Sequence, residues 1–283
     1  MKVCIMGTCR MGNLHTTFID YINPYMRAGQ QSKTYNYKNT RIDIQPITYT
    51  TKLSDVRDVL KYMQGNVENN IDPNYLIDPN ENINFFKTFF RGHWMNSYDQ
   101  KLLKKPGEPI NGIDNNYDLY IFEVCSLREI KFKNSKYGKE FEGKNLLWNI
   151  ITNYNSLNFE VEDFEIIHND IDVIKNTLNE INQLINNKPI LIIGPYLLNK
   201  DMLRIEHDID MKTNEYVNNS RKEVQNILKE VIKLYPNIEY FDMTEEVKKQ
   251  YIIVDDTNPY HFNNIGQKIM SDIILNWIEK QIS

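Results

Sequence analysis

The chain reads as an α/β protein, a three-layer α/β/α sandwich on a mostly parallel sheet. Short apolar runs suited to buried strands recur at residues 3–6, 119–124, 190–193 and 238–241. Between several of them lie stretches with apolar residues three and four apart, the spacing of a helix that buries one face. Turn residues close the runs, at Gly7, at Cys125-Ser126 and at Gly194-Pro195. Strands alternating with helices imply a parallel sheet covered on both faces.

Taken in order, residues 3–6 form a strand, 7–13 a tight polar loop, and a helix begins near Leu14. Residues 25–116 are irregular, punctuated by Pro and Asn, and read as an insertion or lid after the first β-α unit. Its periodic pieces are a strand-like 42–50 interrupted by Pro46, a helix-like 54–63 and an aromatic helix around 83–90. A second core strand covers Leu119, Ile121, Phe122 and Val124. The charged segment 128–144 suits a hairpin and 146–154 a helix. Ile171, Ile174, Leu178, Ile181 and Ile185 then mark one helix face. After the third core strand at 190–193, Val217, Val224, Ile227, Leu228, Val231 and Leu234 repeat that stripe. Pro236-Asn237 ends this helix before the strand at 238–241. A polar turn at 255–264 precedes a last helix with Ile265, Ile269, Ile273, Trp277 and Ile278 on one face. A length of 283 residues suits one domain, 1–283, rather than two enzyme domains.

Composition excludes several classes. With 41% hydrophobic and 12% aromatic residues the chain is globular, not a disordered solvating chain. A formal charge of −5 does not suit a broad phosphate-neutralising surface, so no nucleic-acid partner is expected. No apolar run approaches the roughly 18 to 20 residues that span a bilayer, so no membrane partner is expected either. The first apolar stretch is too short for a signal-peptide core. Cys4, Cys9 and Cys125 cannot all pair and show no zinc-like grouping. A reducing, cytoplasmic setting is the simplest expectation. There is neither a Gly-Lys-Ser/Thr phosphate loop nor a Gly-x-Gly-x-x-Gly after the first strand, so no nucleotide cofactor and no metal is expected.

Ligands of open parallel sheets bind beyond the carboxyl ends of the strands, so the loops at 7–13, 125–128, 194–198 and 255–264 are where chemistry would sit. Cys9 follows the turn glycine at the start of a helix, where the macrodipole favours a thiolate. The bland alternative is a small apolar residue at a strand edge. His261 lies in a turn with Asp255, Asp256 and Asn258, any of which would orient an imidazole. The bland alternative there is a surface histidine. His93, in Arg91-Gly92-His93-Trp94, is the other histidine suited to touch a substrate. Phe85, Phe86, Phe89, Phe90 and Trp94 suit either a pocket lining or the core.

The ordered set Gly7-Thr8-Cys9-Arg10, Glu123-Val124-Cys125-Ser126 and Asn258-Pro259-Tyr260-His261, followed by Phe262-Asn263-Asn264-Ile265-Gly266, resembles the SGNH (GDSL-like) hydrolase superfamily. It is most similar to branches whose first motif is Gly-x-Cys, such as capsular polysaccharide acetyltransferase-like proteins. The resemblance implies a flavodoxin-like sheet and an esterase or O-acyltransferase acting on a small-molecule or glycan substrate. Acetyl-coenzyme A is a possible acyl donor for a transferase. It also implies Cys9 as nucleophile, with Thr8 as the alternative, and His261 as general base. Asn258 stands at the family's Asp position, and Asp256 would reach the same nitrogen through a longer turn. The oxyanion would be held by the Cys9 amide and Ser126. The family's Gly-x-Asn-Asp is absent from the middle loop, and Arg10 or Arg128 is the candidate replacement, with Tyr196 a further substrate contact. Both arginines would equally suit surface ion pairs. These departures keep a second reading open, a non-catalytic carbohydrate- or protein-binding member of the same fold.

Overall fold

The structure, a computed structural model, describes residues 1–7, 33–49, 52–64, 116–133, 164–197, 211–245 and 264–283. In chain order its elements are β1 (Lys2–Gly7), β2 (Lys33–Tyr37), β3 (Thr40–Tyr49), α1 (Leu53–Met63), β4 (Leu119–Glu123), β5 (Arg128–Phe132), β6 (Phe164–His168), α2 (Ile171–Leu184), β7 (Ile190–Ile193), α3 (Met211–Ile232), β8 (Ile238–Phe241) and α4 (Asn264–Ile282). The chain divides into one unit of Met1–Ile47, Tyr117–Ser126 and Lys188–Ser283 and another of Thr48–Asn116 and Leu127–Asn187.

The first unit holds a six-stranded sheet in the order β2-β3-β1-β4-β7-β8. The neighbours β1, β4, β7 and β8 run parallel, with Ile5 opposite Ile121, Ile121 opposite Leu191 and Leu191 opposite Glu239. β1, β4 and β7 are apolar on both faces and buried along nearly their whole length. Asp118 locks the start of this ladder. Its carboxylate accepts from the Lys2 amide at 2.8 Å, and its own amide donates to the Lys2 carbonyl at 2.8 Å.

Pleat parity assigns the two covering helices. Val3, Ile5, Leu119, Ile121, Leu191 and Ile193 share one face and pack with Met270, Ile274, Trp277 and Ile278 of α4. Glu239, on that same face, pairs with Lys280 of α4 at 3.6 Å. Phe122, Ile192 and Tyr240 share the opposite face, where Lys229 of α3 lies 5.8 Å from the centre of the Tyr240 ring. The sheet thus sits between α3 and α4, the three-layer α/β/α arrangement the sequence predicts.

Several details differ from expectation. The buried stripe of α4 runs through Gly266, Met270, Ile274, Trp277 and Ile278, and Ile265 is exposed, because the face is centred one residue later than the isoleucines suggest. α3 ends at Ile232, so Leu234 lies in the following turn and is exposed. The segment at 33–49, expected to hold one interrupted strand, is a hairpin of β2 and β3. Tyr37 pairs with Thr40, leaving Lys38-Asn39 as a two-residue turn with φ of 44° and 64°. β3 runs through Pro46 because its pairing with β2 stops at Ile44, so the missing amide of Pro46 costs no bond there.

The second unit holds an antiparallel pair, β5 with β6, and the packed helices α1 and α2. β5 finds its partner at residues 164–168 rather than inside 128–144, where a local hairpin was expected. α2 opens on Asp170, whose carboxylate accepts from the amides of Asp172 at 3.0 Å and Val173 at 2.9 Å. It closes with Asn186 at φ 57°. The Asn187 amide donates to Asn182 at 2.8 Å and the Asn186 amide to Gln183 at 3.1 Å. Lys52 and Asp55 form a buried ion pair, 3.2 Å apart, at the start of α1. The proposed helices at 14 onward, 83–90 and 146–154 lie outside the described residues.

Two consequences are measurable. A Cβ at Gly194 would fall inside the Tyr240 phenol, 2.7 Å from Cζ and 2.9 Å from Cε2. Gly194→Ala is therefore expected to cost about 1–3 kcal/mol by overpacking, read as a lower denaturant midpoint. Burial pushes the Asp43 carboxyl up, but the Thr34 hydroxyl and the Arg41 guanidinium, 3.0 Å away, outweigh it and hold the group below its ordinary value. The stabilisation is present above the unfolded pKa of about 4 and is lost as pH falls through the lower folded value. Asp43→Asn should be less stable than wild type at pH 7, and thermal melts should show the difference closing in acid.

Candidate active site at the carboxyl edge of the sheet

Parallel neighbours end on the same side, so β1, β4, β7 and β8 deliver Gly7, Glu123, Ile193 and Phe241 to one edge of the sheet. Beyond them the backbone remains tied. The Val124 amide donates to the Ile193 carbonyl at 2.9 Å, and the Gly194 amide to the Phe241 carbonyl at 3.2 Å. Glu123 is fully buried at the end of β4, while Cys125 and Ser126 in the exit loop are half-buried. Cys125 is a reduced thiol. Cys4 is also reduced, but complete burial raises its pKa well above the usual thiol range, so it is inert.

A polar row on α3 ties down the last two loops. Arg221, Gln225 and Lys229 are four residues apart and share a helix face. The Gln225 amide nitrogen donates to the Pro195 carbonyl at 2.7 Å, to Thr244 Oγ1 at 2.6 Å and to Asp242 Oδ1 at 3.2 Å. Thr244 Oγ1 also accepts from the Leu197 amide at 3.1 Å, and Asp242 Oδ1 from the Thr244 amide at 2.9 Å. Lys229 donates to Asp242 Oδ2. Arg221 donates to the Tyr196 carbonyl at 2.8 Å and lies 5.3 Å from the centre of its ring. Gln225 and Thr244 are buried, so this network substitutes for water that cannot reach the loops.

Of the residues singled out in the sequence, three are described. Ser126 lies where expected, in the exit loop of β4. Tyr196 follows β7 as expected, but its side chain is fully buried in the cluster with Met243 and Met270 under α4, so its ring packs the core instead of facing a substrate. Arg128 opens β5 in the second unit, in register with His168. Thr8, Cys9, Arg10, His93, Asp256, Asn258 and His261 lie outside the described residues. By sequence, Cys9 follows the end of β1 by two residues and His261 precedes α4 by three.

Sequence reasoning missed Gln225, Asp242, Thr244 and Tyr240. The four-residue spacing of Arg221, Gln225 and Lys229, beside the apolar Val224, Leu228 and Val231, is the signal that was available. Among the described residues no group of three or more His, Cys, Asp or Glu side chains is placed to hold a metal ion. No described helix is long and apolar enough to cross a membrane.

No protein-family model and no curated protein matches the chain. Among solved structures it is similar to a candidate GDSL-like lipase from Parabacteroides merdae, at 10% identity and a TM-score of 0.38, covering 96% of this chain and 92% of that one. It is also similar to the N-terminal part of a Bacteroides fragilis protein containing a phosphatase domain, complexed with Mg. That match has 9% identity and a TM-score of 0.34, and covers 97% of this chain and 50% of that one. At these scores neither neighbour assigns an activity, and the fold stands on the sheet order itself.

The Gln225 network carries its own expectation. Gln225→Leu keeps the volume but strands buried acceptors, and should cost about 2–3 kcal/mol in urea unfolding.

Proposed function

We propose that the chain is an SGNH-like acyl-ester enzyme, an esterase or O-acyltransferase acting on a glycan. The observation that supports this best is the parallel adjacency of β1, β4, β7 and β8. It brings Gly7, the residue that precedes Thr8 and Cys9 in the sequence, and the loop that holds Ser126 to the same edge of the sheet, in keeping with the order of the sequence motifs.

In this reading Cys9 Sγ attacks the acyl carbonyl carbon while its proton passes to His261. The oxyanion is met by the Cys9 amide and Ser126. Collapse breaks the bond from the acyl carbon to the leaving group, C–O in an ester or C–S in acetyl-coenzyme A, and His261 returns its proton to the departing alcohol oxygen or thiol sulfur, leaving a thioester on Cys9. Water or a sugar hydroxyl then attacks the thioester, giving its proton through His261 to the released sulfur. Asn258 or Asp256 orients the imidazole.

The test is intact-protein mass after brief exposure to p-nitrophenyl acetate and, separately, to acetyl-coenzyme A. One added acetyl group that is absent in Cys9→Ala and slowed about 100-fold or more in His261→Ala supports the mechanism. The donor that delivers it separates esterase from transferase. A folded wild-type protein that gains no acetyl group from either donor overturns the reading.

A further inference from the structure

Among the described groups at the carboxyl edge, one hydroxyl has no structural employment. Tyr240 is registered beside Ile192 on β8, yet its ring leans past that residue until Oη rests against Gly194, the first residue beyond β7. Only a glycine leaves room for it there. The hydroxyl is buried and makes no hydrogen bond among the described residues. Its neighbours are otherwise engaged, with Gln225 spread over Pro195, Thr244 and Asp242, Lys229 on Asp242 and Arg221 on the Tyr196 carbonyl. Burial, then the negative charge of Asp242, pushes the Tyr240 phenol upward, so it stays protonated at neutral pH and acts as a donor. The Val124 amide that opens the β4 exit loop donates to the Ile193 carbonyl, so this loop, which holds Ser126, adjoins the residue against which the ring rests.

A buried donor left without a partner costs stability, so its retention calls for a reason, and a catalytic role is one such reason. We propose that the Tyr240 hydroxyl is a hydrogen-bond donor to the acyl oxygen of the bound substrate, filling the place left by the asparagine that the β4 exit loop lacks. The proposal rests on the acyl-ester reading and deepens it. When the carbonyl oxygen gains charge during attack by Cys9, a neutral phenol already desolvated and held by Gly194 needs no reorganisation to meet it.

The experiment is single-turnover acetylation of the full chain by p-nitrophenyl acetate, followed by mass, for wild type, Tyr240→Phe and Cys9→Ala, with thermal melts alongside. Tyr240→Phe removes only an unbonded hydroxyl, so its Tm should stay within about 2 °C of wild type. The expected result is acetylation of Cys9 slowed about 100-fold in Tyr240→Phe, with the loss in the maximal rate rather than in the half-saturating ester concentration. Equal acetylation rates in wild type and Tyr240→Phe overturn the donor role and leave the acyl-ester reading standing. Absence of any acetyl group on wild type overturns both.

Discussion

The polar groups at the carboxyl edge of the first unit gather there because its parallel ladder is buried on both faces. β1, β4 and β7 present Val, Ile, Leu, Met and Phe to helices above and below, so no charged group can leave these strands sideways without losing its water. The backbone amides and carbonyls are consumed by the ladder. What remains for polar chemistry is the edge where the strands stop, and there the chain places Glu123, Cys125, Ser126, Asp242 and Thr244 in short order. A single geometric constraint thus separates scaffold from candidate site.

That edge is held from one side by α3. A helix that only covered a sheet would need its apolar stripe, here Val224, Leu228 and Val231. Gln225 is buried next to that stripe and spreads one amide nitrogen over two loops. Buried polar networks of this kind fix one arrangement, because any displacement leaves acceptors unsatisfied in a medium that cannot hydrate them. The Gly194–Tyr240 contact works in the same direction by steric means, since the glycine and the phenol occupy complementary space. Together they tie the exits of β7 and β8 to α3 and to each other.

Local pattern made most of the first unit legible. β7 and β8 have the bounds expected from their apolar runs, β1 and β4 differ from theirs by one or two residues, and α3 follows three-and-four spacing, as α2 does in the second unit. The hairpin of β2 and β3 was not legible, because Lys38-Asn39 is an unusual type I′ turn without glycine and β2 is made mostly of the Asn, Lys and Tyr that pervade the whole sequence. The pairing of β5 with β6 was missed for a different reason: its partner lies more than thirty residues on, beyond the reach of any local signal.

By itself the sequence determined the alternation of elements, the parallel sheet and the loops at which chemistry would gather, since periodicity of two or of 3.6 is written in the order of side chains. It also supplied Ser126 as an edge residue. Only tertiary structure decided that Tyr196 packs under α4, that Gln225 serves two loops and that the Tyr240 hydroxyl reaches Gly194. Each of these depends on which atoms of distant segments meet across the sheet, and a sequence read one neighbourhood at a time carries no record of that meeting.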